Sequence, residues 1–213
     1  MKFWTKDWMS SFGLLTTLLL AGCSNPADNV TPATVQEPVQ APPAGAAPAQ
    51  AAKVYTISDA SKVDFTGSKV TGSHSGGFKS ISGQFSVAEG KLVPGGNAVE
   101  IDMTSTWSDN EKLTGHLKSP DFFAVEEFPT STFSITEVQQ NESVTTITGN
   151  LTLHGVTKSI SFPAEVQVTD EQVTLRAEFF IKRFDFDIAF PGQADDLIRD
   201  EVVLRLDVTA AAG

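Results

Sequence analysis

The sequence predicts an all-β fold, an antiparallel barrel of eight or nine strands with a short helical segment near one end. Three observations predict it. Phe is unusually frequent, with 15 residues, and Thr, Val and Ser accompany it. Apolar and polar residues alternate with period two over most of the chain, and Gly, Pro, Asn and Asp separate these runs. Many sequential strands most simply close into a barrel, because closure removes the edges.

The alternating runs appear in order along the chain from Lys53 onward. They cover residues 63–67, 99–106, 133–135, 147–153, 160–168, 173–181 and 202–208. Turn signals fall between them at residues 76–77, 94–96, 141–142, 154–155, 169–171 and 191–192. Because apolar residues change parity after residue 181, a bulge or sharp bend is predicted near Phe179 and Phe180.

Residues 108–125 are expected to be helical instead. Ser108 and Glu111 have capping-box spacing, and Leu113 and Leu117 follow at helical spacing. Residues 119–121, Ser-Pro-Asp, predict a second helix start. The two turns would place Leu113, Leu117, Phe122 and Phe123 over one end of the barrel. There they would complete the core, cover a ligand entrance, or do both.

The N-terminus predicts export and lipid attachment. Residues 1–22 have the proportions of a signal peptide, with Lys2 and Lys6 before an apolar run at residues 12–21. That run is too short to span a bilayer of roughly 30 Å. It ends in Leu-Ala-Gly-Cys at residues 20–23, which resembles a bacterial lipobox. We therefore expect lipid attachment at Cys23; the alternative is an ordinary secretory peptide with an incidental cysteine.

Residues 23–52 are interpreted as the lipidated cysteine and a disordered linker rich in Pro and Ala. A flexible chain of this length spans roughly 30 Å on average. Residue 24 is Ser rather than the Asp used for inner-membrane retention in enteric-type bacteria. We thus expect a membrane-anchored lipoprotein on the periplasmic side, in the outer membrane if the host has one. Cys23 is the sole cysteine, so the domain at residues 53–213 folds without an internal disulfide.

Net charge excludes some partners. The chain carries 15 Lys and Arg against 26 Asp and Glu, a formal charge of -11. This balance argues against nucleic acid, which requires clustered cations, and against a basic patch on anionic lipid. The acidity itself is explained by a solvated surface.

Catalytic and metal chemistry finds little support. His74, His116 and His154 are about 40 residues apart, not the compact spacing of a zinc motif, so we expect no metal. Ser119, His116 and Asp121 are close in sequence but suit caps and turns, and no nucleophile elbow or phosphate loop occurs. We expect no catalysis and no cofactor.

Four segments resemble signatures of the YceI-like family. Residues 116–123 read HLKSPDFF, residues 128–133 read FPTSTF, residues 149–158 read GNLTLHGVTK, and residues 180–186 read FIKRFDF. The likeness runs in the expected order from about residue 54 to residue 210. It implies a lipocalin-like, eight-stranded barrel with an elongated apolar cavity, in a family associated with polyisoprenoids or similar lipids of the periplasm. Residues 72–78 and Asp187 depart from the pattern in ways that could alter the cavity.

The expected ligand contacts combine apolar side chains of the barrel and helix with polar groups near its opening. His74, His116, Lys118 and Arg183 are candidates for holding a phosphate or quinone head group, although Arg183 could equally pair with Asp185 or Asp187. The full set is Phe65, Phe78, His74, Phe85, Met103, Leu113, His116, Leu117, Lys118, Phe122, Phe133, Leu151, Phe162, Phe179 and Arg183.

Three functions remain open from the sequence. The first is a membrane-tethered binding protein that holds a polyisoprenoid or isoprenoid quinone-like lipid, without catalysis. The second is a ligand-free structural or partner-binding barrel of the periplasm, for example one with a role in stress. The third, the least favoured, is a metal-dependent or hydrolytic enzyme. The sequence does not fix the oligomeric state, and a homodimer is one arrangement that we consider.

Overall fold

Alternating side chains organise the chain into one large antiparallel sheet and a separate two-stranded hairpin in the computed structural model, which describes residues 24–39, 52–141 and 144–213. The strands are β1 (Thr34–Gln36), β2 (Lys53–Ile57), β3 (Lys62–Lys69), β4 (Gly72–Phe78), β5 (Ile81–Ala88), β6 (Lys91–Leu92), β7 (Ala98–Asp102), β8 (Thr106–Ser108), β9 (Thr130–Gln140), β10 (Thr145–Leu153), β11 (Val156–Val168), β12 (Gln172–Lys182), β13 (Gly192–Gln193), β14 (Asp196–Leu197) and β15 (Glu201–Ala212). One α-helix, α1 (Glu111–Lys118), and 3-10 turns at Met103–Ser105 and Arg183–Phe186 complete the described elements.

The sheet closes into an eight-stranded barrel, which confirms the predicted fold class. Three barrel strands are each broken into two segments, namely β2 with β3, β4 with β5, and β7 with β8. The broken strands remain in line, because β15 pairs with β3 in its first half and with β2 at its end. The other five are β9, β10, β11, β12 and β15, and closure comes from β12, which pairs with both β11 and β15.

Inward-facing apolar residues from all sides of the barrel form its core. Phe85, Ile147, Val173, Phe179 and Val208 are each at most 3% exposed, although they come from four different strands. Along β12, Val173, Leu175, Phe179 and Ile181 are buried at alternate positions, as the period-two pattern predicted.

The helical segment differs from the prediction in two respects. The N-cap of α1 is Asn110, whose Oδ1 accepts the Leu113 N–H at 3.1 Å, whereas Ser108 Oγ donates to the Asn110 carbonyl at 2.8 Å. The predicted second helix at residues 119–121 is absent, and a tight turn stands there. That turn returns the chain onto α1, because the Phe123 N–H bonds the carbonyl of Leu117.

The predicted bulge near Phe179 and Phe180 was wrong. β12 pairs with β15 without interruption from Gln172 to Lys182. The parity changes later, in the 3-10 turn at Arg183–Phe186, where Asp187 has a φ of 56°. A helical turn, like a bulge, changes which side of the sheet the following side chains face. The alternation of apolar residues in the sequence therefore cannot distinguish the two.

The segment of residues 24–39, part of the expected disordered linker, packs against the barrel instead. Residues 34–36 form β1, antiparallel to residues 159–161 of β11. On the other side, the Ala33 N–H donates to the Phe180 carbonyl of β12 at 2.8 Å, and the Phe180 N–H donates to Thr31. β1 thus lies between β11 and β12, and Ala33 and Val35 pack against the core.

A local divergence of β11 from β12 explains why this segment is ordered. The two strands pair directly only from Glu165 to Val168 on the β11 side. Pro163 precedes this stretch and has no N–H to donate. Toward the beginning of β11, the backbone groups of residues 159–161 require another partner, and β1 supplies it. A Pro- and Ala-rich composition does not reveal such a partner.

Side chains fasten the end of this segment. Asn150 Oδ1 accepts the Val39 N–H at 3.1 Å, and Asn150 Nδ2 donates to the Val39 carbonyl at 2.6 Å. Lys158 Nζ lies 2.7 Å from Glu37 Oε1, and this bond raises the pKa of Lys158 above its ordinary value. The side-chain amide of Asn150 therefore makes the two hydrogen bonds that a neighbouring strand would otherwise make to the backbone of Val39.

Cys23, the predicted signal peptide at residues 1–22 and residues 40–51 of the linker lie outside the described residues. Within the described ranges, no helix combines the length and apolar character needed to cross a bilayer.

We predict that Asn150→Ala loosens residues 31–39 while the barrel remains folded. The change removes two hydrogen bonds at the edge of the sheet, so the free energy of unfolding should fall by about 1 kcal/mol. Hydrogen exchange should accelerate at residues 31–39 and not in β12 or β15. Asn141→Ala, at the β9–β10 turn, is the matched control; equal exchange in both variants would contradict the assignment.

Candidate functional site

The barrel interior contains two connected apolar chambers. The inner chamber has a volume of about 90 Å³ and the outer chamber about 140 Å³. Val63, Ile101, Leu151 and Leu204 line both, so the chambers are neighbours along one axis. Apolar side chains line the inner chamber throughout: Val63, Phe85, Val99, Ile101, Phe133, Ile135, Leu151, Ile160, Phe162, Leu175, Phe179, Leu204, Leu206 and Val208.

A third space, the mouth, opens to solvent beyond the outer chamber and has a volume of about 350 Å³. Phe65, Leu117 and Phe122 line both spaces, which makes them the boundary between mouth and interior. The mouth is mixed in character, since Lys69, His74, His116 and Asp196 join its apolar wall. The three spaces form one path that becomes more apolar with depth.

Two glycines place the phenylalanine rings of this path. A Cβ at Gly76 would lie 2.5 Å from Cζ of Phe65, and one at Gly149 would lie 2.5 Å from Cζ of Phe133. Each ring therefore lies across the bare backbone of the neighbouring strand. Any larger residue at either glycine would push the ring into the chamber that it lines.

Two aromatic groups occupy the path at different depths. Phe65, Phe78 and Phe123 form the outer group, with ring centroids 5.8 to 6.3 Å apart. In the inner group, Phe162 stacks on Phe179 at 4.1 Å and lies 5.7 Å from Phe133. These rings leave the chambers narrow.

Helix α1 covers the mouth, as the sequence predicted. Leu113, His116 and Leu117 line the mouth from the helix, and Leu117 is buried. His116 Nε2 lies 2.8 Å from Asp121 Oδ2. The His116 ring also makes edge contacts with Phe122 and Phe190, at 4.9 and 5.0 Å. These contacts fix the helix against the residues that follow it.

His74 and His116 both line the mouth, whereas His154 is not among its lining residues. His74 Nδ1 lies 2.8 Å from Asp109 Oδ1, and the Ser75 N–H together with His74 lowers the pKa of Asp109 from its ordinary value. His154 Nδ1 lies 3.2 Å from the Phe186 carbonyl, away from the other two. No group of three His, Cys, Asp or Glu side chains suited to a metal occurs within the described ranges.

Arg183 is a buried cation beside the outer chamber. It is 4% exposed, and its guanidinium donates to the carbonyls of Arg199 at 2.9 Å, Ile188 at 2.5 Å and Ile198 at 3.2 Å. Pairing with Asp185 or Asp187, which we considered, does not occur. Burial lowers its pKa, and the charge of Asp200 offsets part of that effect. Of the five N–H groups of an Arg, two remain without a partner among the described residues.

All of the predicted ligand-contacting residues except Lys118 line the mouth or one of the chambers. The alternation pattern found the strand residues, but the mouth also uses side chains that it does not reveal. Lys69 ends β3, whereas Phe190, Gln193, Asp196 and Ile198 come from the segments around and within the short β13–β14 hairpin. Lys69 forms an ion pair with Asp196 beside the mouth, which lowers the pKa of Asp196. Only the Pro-Gly signal at residues 191–192 marked this region.

A larger depression on the outer wall, of about 590 Å³, has a different character. Arg176 pairs with Asp207 and Arg205 with Glu178 along it, each at 3.2 Å. Because these charges already have partners at the surface, the depression is a groove between ion pairs rather than a candidate ligand site.

Comparisons with known proteins agree with this architecture. A UPF0312 protein of Pseudomonas fluorescens strain SBW25 is 30% identical over 137 residues, which cover 61% of this chain and 71% of the relative. A UPF0312 protein of Pseudomonas aeruginosa strain PAO1 is 37% identical over 91 residues, 43% of this chain and 48% of the relative. Against a UPF0312 protein of Pseudomonas putida strain W619 the match covers 47% of the relative, so the chain spans about half the length of such curated relatives.

Solved structures share the fold at low identity. BcnA of Burkholderia cenocepacia has a TM-score of 0.64 at 22% identity, covering 72% of this chain and 99% of that one. A polyisoprenoid binding domain from Saccharophagus degradans, described as implicated in plant cell wall breakdown, has a TM-score of 0.62 at 19% identity, covering 76% and 100%. A Campylobacter jejuni YceI protein has a TM-score of 0.54 at 24% identity, covering 65% and 84%.

The family model of the YceI-like domain matches residues 55–210, from Tyr55 in β2 to Ala210 near the end of β15. This range contains the barrel, the helix over the mouth and both chambers. The chain therefore belongs to the YceI-like family.

Proposed function

We propose that the protein holds a long apolar molecule, a polyisoprenoid or isoprenoid quinone-like lipid, inside the barrel while Cys23 tethers it to a membrane. The inner chamber carries the proposal, because apolar side chains alone line it at the end of a path that opens to solvent. Such a wall favours a hydrocarbon chain and offers no partner for a polar one.

The polar end of such a ligand would meet Arg183. This cation lies beside the outer chamber and keeps two N–H groups without a described partner. A buried charge that lacks an ion pair is costly, so an acceptor oxygen or a phosphate nearby would stabilise it. Lys69 and Asp196 of the mouth already pair with each other, which leaves Arg183 as the better-placed cation.

A further observation supports a polyisoprenoid as the hydrocarbon part of the ligand. The Saccharophagus degradans domain of the same fold is described as binding a polyisoprenoid. A prenyl chain is branched and flexible, and the alternating phenylalanine and aliphatic wall can pack against its methyl groups. Because the chambers are narrow, the rings of Phe65, Phe78 and Phe123 must rotate to admit it.

The tether follows from the lipobox-like residues 20–23. An acylated Cys23 would keep the barrel on the periplasmic side of a membrane, next to the bilayer in which apolar ligands dissolve. Ser24 favours the outer membrane in a host that has one.

We predict that Arg183→Met weakens binding of a polyprenyl phosphate by about tenfold or more, because it removes a charge-assisted contact. The uncharged polyprenol of equal length should lose much less affinity. Lys118→Met, which removes a cation outside the cavity lining, is the matched control. The measurement is a titration of the purified full chain with fluorescent analogues of both lipids.

Folding must be checked in parallel, because Arg183 also bonds three backbone carbonyls. Arg183→Lys keeps the charge and should retain the preference for the phosphate. If neither lipid binds the wild-type chain, the ligand-binding proposal fails; if Arg183→Met weakens both lipids equally, only the role of Arg183 fails.

For the tether, we predict that cells expressing the protein incorporate radiolabelled palmitate into the wild type and into Ser24→Ala, but not into Cys23→Ala. Wild-type protein should sediment with membranes after lysis. An unlabelled wild type, or equal label on Cys23→Ala, would contradict lipid attachment at this residue.

A further inference from the structure

We propose that the apolar rim beside the mouth, formed by Val70, Phe184 and Leu197, rests on the surface of a lipid bilayer whose headgroups are electrically neutral. The mouth would then open directly toward the source of an apolar ligand. This inference rests on the tether of the proposed function, but it does not require any particular ligand.

Three of the six large exposed apolar side chains in the described part of the chain lie at this end of the barrel. In the described part of the chain the large exposed ones are Val39, Val54, Val70, Val144, Phe184 and Leu197. Val70, Phe184 and Leu197 are 54%, 49% and 50% exposed, and all three lie in connections at the mouth end. Val54 and Val144 lie toward the opposite end.

Val70 and Leu197 are hydrogen-bonded to each other, and Phe184 lies beside Arg183, whose guanidinium donates to the carbonyl of Ile198. The Val70 N–H donates to the Leu197 carbonyl at 3.2 Å, which joins the β3–β4 turn to the β13–β14 hairpin. The chain neighbours of these two residues, Lys69, Asp196 and Ile198, line the mouth. Phe184 directly follows Arg183 of the outer chamber, and the guanidinium carbon of Arg183 lies 4.4 Å from the centroid of its ring.

The chain that leads to Cys23 reaches the barrel near the same end. Thr31 and Ala33 bond to Phe180, two residues before β12 ends at Lys182. Between Ser24 and Thr31 the chain turns back on itself, with Asp28 N–H bonded to the Asn25 carbonyl and Ala27 buried. Even a fully extended chain of this length reaches at most about 25 Å. An acyl anchor on Cys23 would thus hold the bilayer close to this part of the wall.

The charges at this end select the kind of bilayer. Five acidic residues, Asp185, Asp187, Asp195, Asp196 and Asp200, lie in the segments around the mouth. The cations there are Lys182, Arg183 and Arg199 of the same stretch of chain, and Lys69, which pairs with Asp196. A net acidic rim is repelled by anionic headgroups and tolerates zwitterionic ones. The occupant that fits an apolar rim flanked by these aspartates is therefore a neutral lipid surface.

The test uses the mature lipidated full chain, reconstituted into phosphatidylcholine vesicles whose acyl chains carry bromine, which quenches tryptophan fluorescence. Leu197→Trp places a reporter in the rim, and Val54→Trp places a matched reporter at an exposed valine of the far end. Each is compared with the parent, which retains Trp107. Because an interfacial side chain enters roughly 5–10 Å into the lipid boundary, we expect at least about twofold more quenching for Leu197→Trp than for Val54→Trp.

Equal quenching of the two reporters, or none beyond the parent, would overturn the proposal. Adding anionic phosphatidylglycerol should lower the quenching of Leu197→Trp, and Asp187→Asn with Asp195→Asn should relieve that effect. An increase on adding phosphatidylglycerol would equally count against it. If the chain instead fails to float with vesicles, the tether at Cys23 has failed, whereas lipid titration in solution tests the cavity separately.

Discussion

Closure of the barrel between β11 and β12 is the constraint on which the rest of the structure depends. A sheet that surrounds an apolar cavity cannot leave backbone N–H and carbonyl groups unpaired along an open edge. β11 and β12 meet directly only from Glu165 to Val168, and beyond Pro163 they part. β1 fills the gap, and Val35 adds its side chain to the core. The residues that close the wall therefore come from outside the matched family range of residues 55–210.

At the mouth end of the barrel, unpaired backbone carbonyls are satisfied by a side chain instead of a strand. The segment after the 3-10 turn and the segment before β15 present carbonyls to which no strand donates, and Arg183 donates to three of them. One residue thereby closes the backbone at the end of the barrel and brings a positive charge to an otherwise apolar chamber. The position of the candidate head-group contact is thus a consequence of how the barrel ends.

Period-two alternation was enough to predict a barrel of eight or nine strands and most of the cavity wall, because inward-facing side chains are apolar at every second position. It located Phe65, Phe133 and Phe179 correctly, but it could not show that Gly76 and Gly149 make room for two of those rings. The mouth was harder to predict. Gln193 and Asp196 lie in a hairpin whose two strands have only two residues each. Strands this short are too brief to produce an alternating pattern in the sequence.

The N-terminal segment was the largest difference from expectation, for a physical reason. Its Pro- and Ala-rich composition cannot order itself, and its partners, such as Asn150 for Val39, lie 111 residues further along the chain. The same separation sets an order of events. The site for β1 does not exist until both β11 and β12 have formed, so residues 34–36 can be placed only after two strands that are synthesised later than they are. Until then, the gap between β11 and β12 stays open. The binding of β1 therefore requires that these two strands have already adopted their correct register.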